Sequence, residues 1–210
     1  MKMKATMKIL WLCNKAFSDT DTGGGGTWLQ PLANALVQSG TVDLANITMP
    51  GRVKVVTRSE YQGIKQWVVP VTRLRSNGLP APSVVTAIVK AVQEFSPDII
   101  HIWGTENYWG LLTARKILPF PALLRIQGIK YLVGKNFSGN LTFSEKIQSS
   151  ISLKELILCR TVFQSRKKMI RWETKEKEII AGHQHIITQS PWTEAQVKAV
   201  NPTCRLYHNH

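Results

Sequence analysis

From Lys8 onward, short apolar runs alternate with stretches of helical period, and this alternation limits the chain to strand-helix-strand units on a largely parallel sheet. Lys8 to Cys13 is the first strand. Leu29, Leu32, Ala33 and Leu36 place a helix over 28–39, with Thr27 and Gln30 as an expected capping box and Pro31 close behind. Val42 to Thr48 and Lys65 to Val71 are two further strands, and Thr72 to Pro82 ("TRLRSNGLPAP") reads as a loop. Val84, Ile88, Ala91, Val92 and Phe95 form one helical stripe, which Ser96-Pro97 ends because the residue before proline is pushed out of the α region. Asp98 to Trp103 is a buried strand leading into a helix over 106–118, and Pro121 to Gln127 is another strand. Ile147, Ile151 and Leu158 start a helical stretch that restarts near Thr161 and runs to Ala181. His185 to Thr188 is the last strand, and Ser190-Pro191 opens a final helix with a cap and a proline at its first position.

Composition narrows the function classes. Of 210 residues, 43% are hydrophobic and 19% charged, a balance that supports one packed domain and excludes a disordered chain. Lys and Arg number 27 against 13 for Asp and Glu, so the net charge of +14 should attract phosphates, nucleic acid or an anionic membrane. Cys13, Cys159 and Cys204 are too far apart for a disulfide framework or a zinc site, which points to the cytosol. The pairs His183/His185 and His208/His210 lack the further ligands of a metal centre, so no metal is expected.

Gly23 to Gly26 lie between the first strand and the first helix. Such a loop either turns the chain or lets backbone N–H groups approach an anion at a helix N-terminus. It is neither a P-loop nor a G-x-G-x-x-G fingerprint. In a doubly wound sheet ligands gather beyond the carboxyl ends of the strands. His101, Trp103 and Glu106 follow one strand there, and Gln127 and Gly128 another. Trp103, Tyr108 and Trp109 could offer a stacking face to a ligand, with core packing the expectation for at least one.

Several motifs together resemble the N-terminal half of retaining glycosyltransferases of the GT-B fold, family 4 (group 1). They are Met7 to Trp11, the glycine loop entering a helix, Ser96 to His101, and Ile186 to Ser190. The resemblance implies a Rossmann-like three-layer α/β domain over 1–200, with 201–210 beginning a hinge towards a donor-binding domain that this sequence does not include. It implies transfer of a sugar, hexosyltransferase type, from a nucleotide-sugar donor to a glycan or lipid-linked acceptor with retention, as in polysaccharide biosynthesis. No other cofactor is implied. Gly24, Gly25, Gly26 and Thr27 would approach the donor's phosphates or sugar. His101, Trp103, Glu106, Gln127 and Gly128 would face the acceptor. Many members carry histidine where Gln127 stands, and glutamine can hydrogen-bond a hydroxyl but cannot carry a proton.

Arg166, Lys167, Lys168 and Arg171 lie in a basic run. It is either a solvated helix face laced by Glu173, Glu176 and Glu178, or a docking face for the inner, anionic surface of a membrane. The rival function is a stand-alone basic module binding phosphate or nucleic acid without catalysis, although no nucleic-acid recognition signature is present.

Overall fold

The computed structural model describes residues 6–19, 27–49, 53–137, 139, 141–148 and 161–208. Eight described strands form one sheet: β1 (Met7–Cys13), β2 (Val42–Thr48), β3 (Thr57–Tyr61), β4 (Ile64–Val68), β5 (Ile99–Trp103), β6 (Ala122–Arg125), β7 (His185–Thr188) and β8 (Arg205–His208). Their order is β3-β4-β2-β1-β5-β6-β7-β8, parallel throughout except for the β3–β4 hairpin. The chain winds outward from β1 in one direction and from β5 in the other, so the strand order reverses between β1 and β5, where Leu12 pairs with Ile102.

Helices cover the sheet unequally among the described residues. α1 (Leu29–Gln38) packs Leu29 and Ala33 against Trp11, Cys13, Leu44, Ile64 and Trp103. The opposite face carries the larger core. There α2 (Pro82–Phe95), α3 (Trp109–Ala114), α4 (Lys130–Lys135), α7 (Glu173–Ala181) and α8 (Pro191–Val200) meet Leu10, Leu12, Ile100, Ile102, Leu124 and Ile186. Leu10 and Leu12 alternate with Trp11 and Cys13 between the two cores. Both faces of β1 are therefore apolar, which gives the continuous apolar run seen in the sequence.

Several boundaries depart from the sequence expectation. The Thr27–Gln30 capping box does not form: α1 has no side-chain cap, because Gln30 donates to Ser18 O (3.2 Å) and Tyr61 Oη (2.9 Å) and accepts from Ser18 N. The strand expected over 65–71 is the second arm of a hairpin whose turn, Gln62-Gly63, has positive φ at both residues, as a type I′ turn requires. The helix expected over 106–118 is confined to Trp109–Ala114. Asn107 Oδ1 accepts from Trp109 N (2.8 Å) and fixes its start, while Lys116 at φ +56° ends it. The basic stretch divides at Trp172 into α6 (Val162–Arg171) and α7, and α6 opens with a Thr161–Gln164 capping box. α5 (Phe143–Gln148) precedes residues outside the description. Residues 205–208, for which no strand was expected, pair in parallel with β7 as β8.

Candidate functional site at the β1–β5 switch point

Three strand ends converge where the order reverses. A cavity of about 230 Å³ opens there, lined by Cys13, Asn14, Lys15, Leu29, Trp103, Glu106 and Gln127. A larger hollow of about 790 Å³ lies at the amino ends of β5 to β7, bordered by Ile99, Phe120, Ala122 and His185. Its lining is mostly apolar, and it sits at the sheet edge opposite to where ligands of such sheets gather.

The loop after β1 is held by buried amides. Asn46 Nδ2 donates to Lys15 O (2.9 Å), while Gln66 accepts from Phe17 N (2.8 Å) and donates to Phe17 O (2.9 Å). These bonds present Asn14 and Lys15 to the cavity. Cys13 donates to Asn46 Oδ1 (3.1 Å), and burial pushes its thiol up to about 12, so it packs rather than reacts.

The loop after β5 is held from behind. Trp172 Nε1 donates to Thr105 O (2.7 Å) and Lys130 Nζ to Glu106 O (2.8 Å). Glu176, fully buried, accepts from the Thr105 hydroxyl and from the backbone N–H groups of Lys130 and Tyr131 (both 2.9 Å), which begin α4. Its carboxyl is pushed up by burial and pulled back by these donors. Gly104 has φ +90°, and the Glu106 carboxylate folds over it into the space a Cβ would occupy. Glu106 is exposed as a residue, yet its inward-folded carboxyl loses water, and this raises its pKa against the nearby Lys130 charge. A carboxyl held this way accepts a hydroxyl proton more readily than an ordinary glutamate.

The sequence-predicted residues divide clearly. Trp103, Glu106 and Gln127 meet at the cavity, and Gly128 is exposed beside them, its carbonyl 3.4 Å from Thr105 Oγ1. His101 does not line the cavity. It stacks on Trp103 (centroids 4.1 Å apart), its Nε2 is buried without a partner, and burial together with the Arg125 charge lowers its pKa to about 3. Tyr108 and Trp109 belong to the core. Gly24, Gly25 and Gly26 lie outside the described residues, and Thr27 is exposed in the turn before α1. Arg166, Lys167, Lys168 and Arg171 are exposed on α6. Among the described residues no group of three His, Cys, Asp or Glu side chains could hold a metal ion. Sequence reading missed Asn14 and Lys15, although both directly follow a buried strand, and it missed Arg125, Trp172 and Glu176, whose roles depend on tertiary contacts.

No family model matches the sequence, and no curated protein does. Among solved structures, sucrose-phosphate synthase from Thermosynechococcus elongatus superposes with a TM-score of 0.58 at 15% identity, over 96% of this chain and 47% of that one. A second structure of the same enzyme gives 0.54 at 12% identity, over 96% and 87%. The fold is a Rossmann-like, mostly parallel α/β domain of the kind that forms one half of the GT-B fold. The chain spans about half the length of the first of these structures.

Proposed function

We propose that this chain is the acceptor-binding half of a retaining, family 4 hexosyltransferase that moves a sugar from a nucleotide-sugar donor to a glycan or lipid-linked acceptor. The observation that carries the reading is the polar cavity at the β1–β5 reversal, where Asn14, Lys15, Glu106 and Gln127 surround a space bounded by Trp103. Amide, ammonium and carboxylate groups beside an aromatic ring suit a sugar, whose hydroxyls need paired donors and acceptors and whose C–H face packs on an indole. Glu106 holds or receives the proton of the acceptor hydroxyl, and Gln127 orients a second hydroxyl. The glycine loop, Gly24 to Thr27, approaches the donor's diphosphate, and the donor itself is held by a second domain.

Calorimetric titration of residues 1–210 tests this reading. Neutral mono- and disaccharides should bind weakly, and Gln127→Ala and Glu106→Gln should each weaken them several-fold. Tight binding of a nucleotide sugar by this chain alone favours a stand-alone phosphosugar-binding module, and steeply salt-dependent binding of RNA favours the nucleic-acid rival. Attachment to the inner face of a membrane forms part of the proposal: Arg166, Lys167, Lys168 and Arg171 are exposed on α6, and Phe163 of the same helix is 46% exposed. Sedimentation with liposomes that ignores anionic lipid content counts against it.

A further inference from the structure

Several buried polar groups near the site are paired. Glu176 accepts three hydrogen bonds, Asn46 and Gln66 clamp the β1 loop, and Arg115 grips Glu178 through two bonds of 2.6 and 2.8 Å. Arg125, at the carboxyl end of β6, belongs instead to a cluster whose buried nitrogens lack partners, with Trp11 Nε1, His101 Nε2 and Trp103 Nε1, and of these residues it carries the charge. It is 8% exposed, its Nε is buried without a partner, and no carboxylate among the described residues pairs with its guanidinium. Burial lowers its pKa, yet a guanidinium keeps its charge in proteins. With no carboxylate paired to it, this mostly buried guanidinium keeps unused N–H groups for a partner that binds from outside.

Its surroundings shape the group for an oxyanion. The guanidinium carbon lies 4.9 Å from the Trp103 ring and 5.3 Å from the Trp28 ring, which stand edge to face 5.1 Å apart. The indoles hold the planar fork in place, and their attraction is no substitute for hydrogen bonds to its N–H groups. His101 is neutral here, leaving Arg125 the charge of the cluster. Beside it α1 begins at Trp28 without a side-chain cap or an acidic residue in its first turn, so the helix dipole favours a negative group at this place as well. Trp103 is shared: it contacts Arg125 and also lines the sugar-sized cavity.

We propose that Arg125 anchors an anionic group, phosphate ester or carboxylate, carried by the acceptor sugar whose ring occupies the cavity across Trp103. This rests on the acceptor-binding reading above and narrows the acceptor to an anionic sugar.

The test compares glucose, glucose 6-phosphate, glucuronate and uridine diphosphate as calorimetric probes of residues 1–210, in wild type, Arg125→Met and Arg125→Lys. Methionine keeps packing against the indoles without the charge, and lysine keeps the charge without the fork. Wild type should bind glucose 6-phosphate or glucuronate at least about tenfold more tightly than glucose, a preference that one charge-assisted bidentate contact can supply. Arg125→Met should erase this preference, retain glucose binding and melt no lower than wild type, while Arg125→Lys recovers part of it. Should Arg125→Met not fold, the lysine variant alone carries the comparison. Equal affinity for glucose and both anionic sugars overturns the inference while leaving the acceptor-binding reading intact. Loss of uridine diphosphate binding alone overturns it too, since the anion would then be the donor's.

Discussion

Asn14 and Glu106, 92 residues apart in sequence, meet at the strand reversal with Asn14 Nδ2 donating to Glu106 Oε1 over 3.2 Å. The direction of this bond is fixed by the other end of the amide. Asn14 Oδ1 accepts from Trp109 Nε1 (3.0 Å) and from Asn107 Nδ2 (2.9 Å), so only the NH2 group can face the carboxylate. Asn14→Ala leaves the indole N–H of the fully buried Trp109 without its partner and should cost about 1–3 kcal/mol in urea unfolding. Asn14→Asp sets a second carboxylate against Glu106. NMR titration of the Glu106 carboxyl should then show its pKa raised further, and an unchanged value would mean that the two groups do not touch in solution.

Gly104 and Gly128 follow adjacent strands but differ in what a methyl group would meet. At Gly104 the backbone is in the left-handed region, and the Glu106 carboxylate fills the Cβ position, whereas a Cβ at Gly128 meets nothing within 4 Å. Gly104→Ala should therefore cost at least about 1 kcal/mol and drive Glu106 out of the cavity, weakening sugar binding. Gly128→Ala should stay within about 0.5 kcal/mol of wild type. Equal melting temperatures for the two variants would contradict the conformation of the Gly104 loop.

Glu176 touches no part of the cavity, yet it holds both the Thr105 hydroxyl and the first N–H groups of α4. Glutamine offers one oxygen in place of two, so Glu176→Gln turns an NH2 group towards a backbone donor. A loss of about 1–3 kcal/mol is expected. Amide hydrogen exchange should quicken at Lys130 and Tyr131 before it does in β1 or β5. Uniform loss of protection would mean that Glu176 supports the whole domain rather than this corner.

Much of the architecture was legible because buried parallel strands write themselves as short apolar runs. The Asp98–Trp103 run, the Ser96-Pro97 stop and the Ser190-Pro191 start correspond to β5, the left-handed Ser96 and the capped α8. Elements carrying little apolar signal were missed: β3 is exposed over 57–60, β8 is a four-residue edge strand, and α4 has six residues whose start is held by Glu176 from 45 positions away. The same contrast holds at the site. That Glu106 and Gln127 would lie at the carboxyl edge of the sheet was legible because they follow strands, while nothing local distinguishes Arg125 from any other residue of β6. Its surroundings come from Trp28, 97 positions earlier, and no carboxylate among the described residues pairs with it.

His101 supplies a prediction with a definite pH window. Burial first, and then the Arg125 charge, lower its pKa from 6.5 to about 3, so the folded chain resists a proton that the unfolded chain takes up. Its contribution to stability is therefore complete above pH 6.5 and is lost as pH falls below that value, at a limiting slope of roughly 1.4 kcal/mol per unit. Carboxylates also take up protons as the pH falls, so the informative quantity is the difference from a variant that keeps the ring. His101→Phe preserves stacking on Trp103 and cannot be protonated. Between pH 6.5 and 4.5, wild type should lose about 2 kcal/mol more than His101→Phe in urea unfolding. Arg125→Met removes the repelling charge and should raise the His101 pKa, narrowing that gap. Identical pH profiles for wild type and His101→Phe would show the imidazole to be hydrated and the cluster around Arg125 to be open to water.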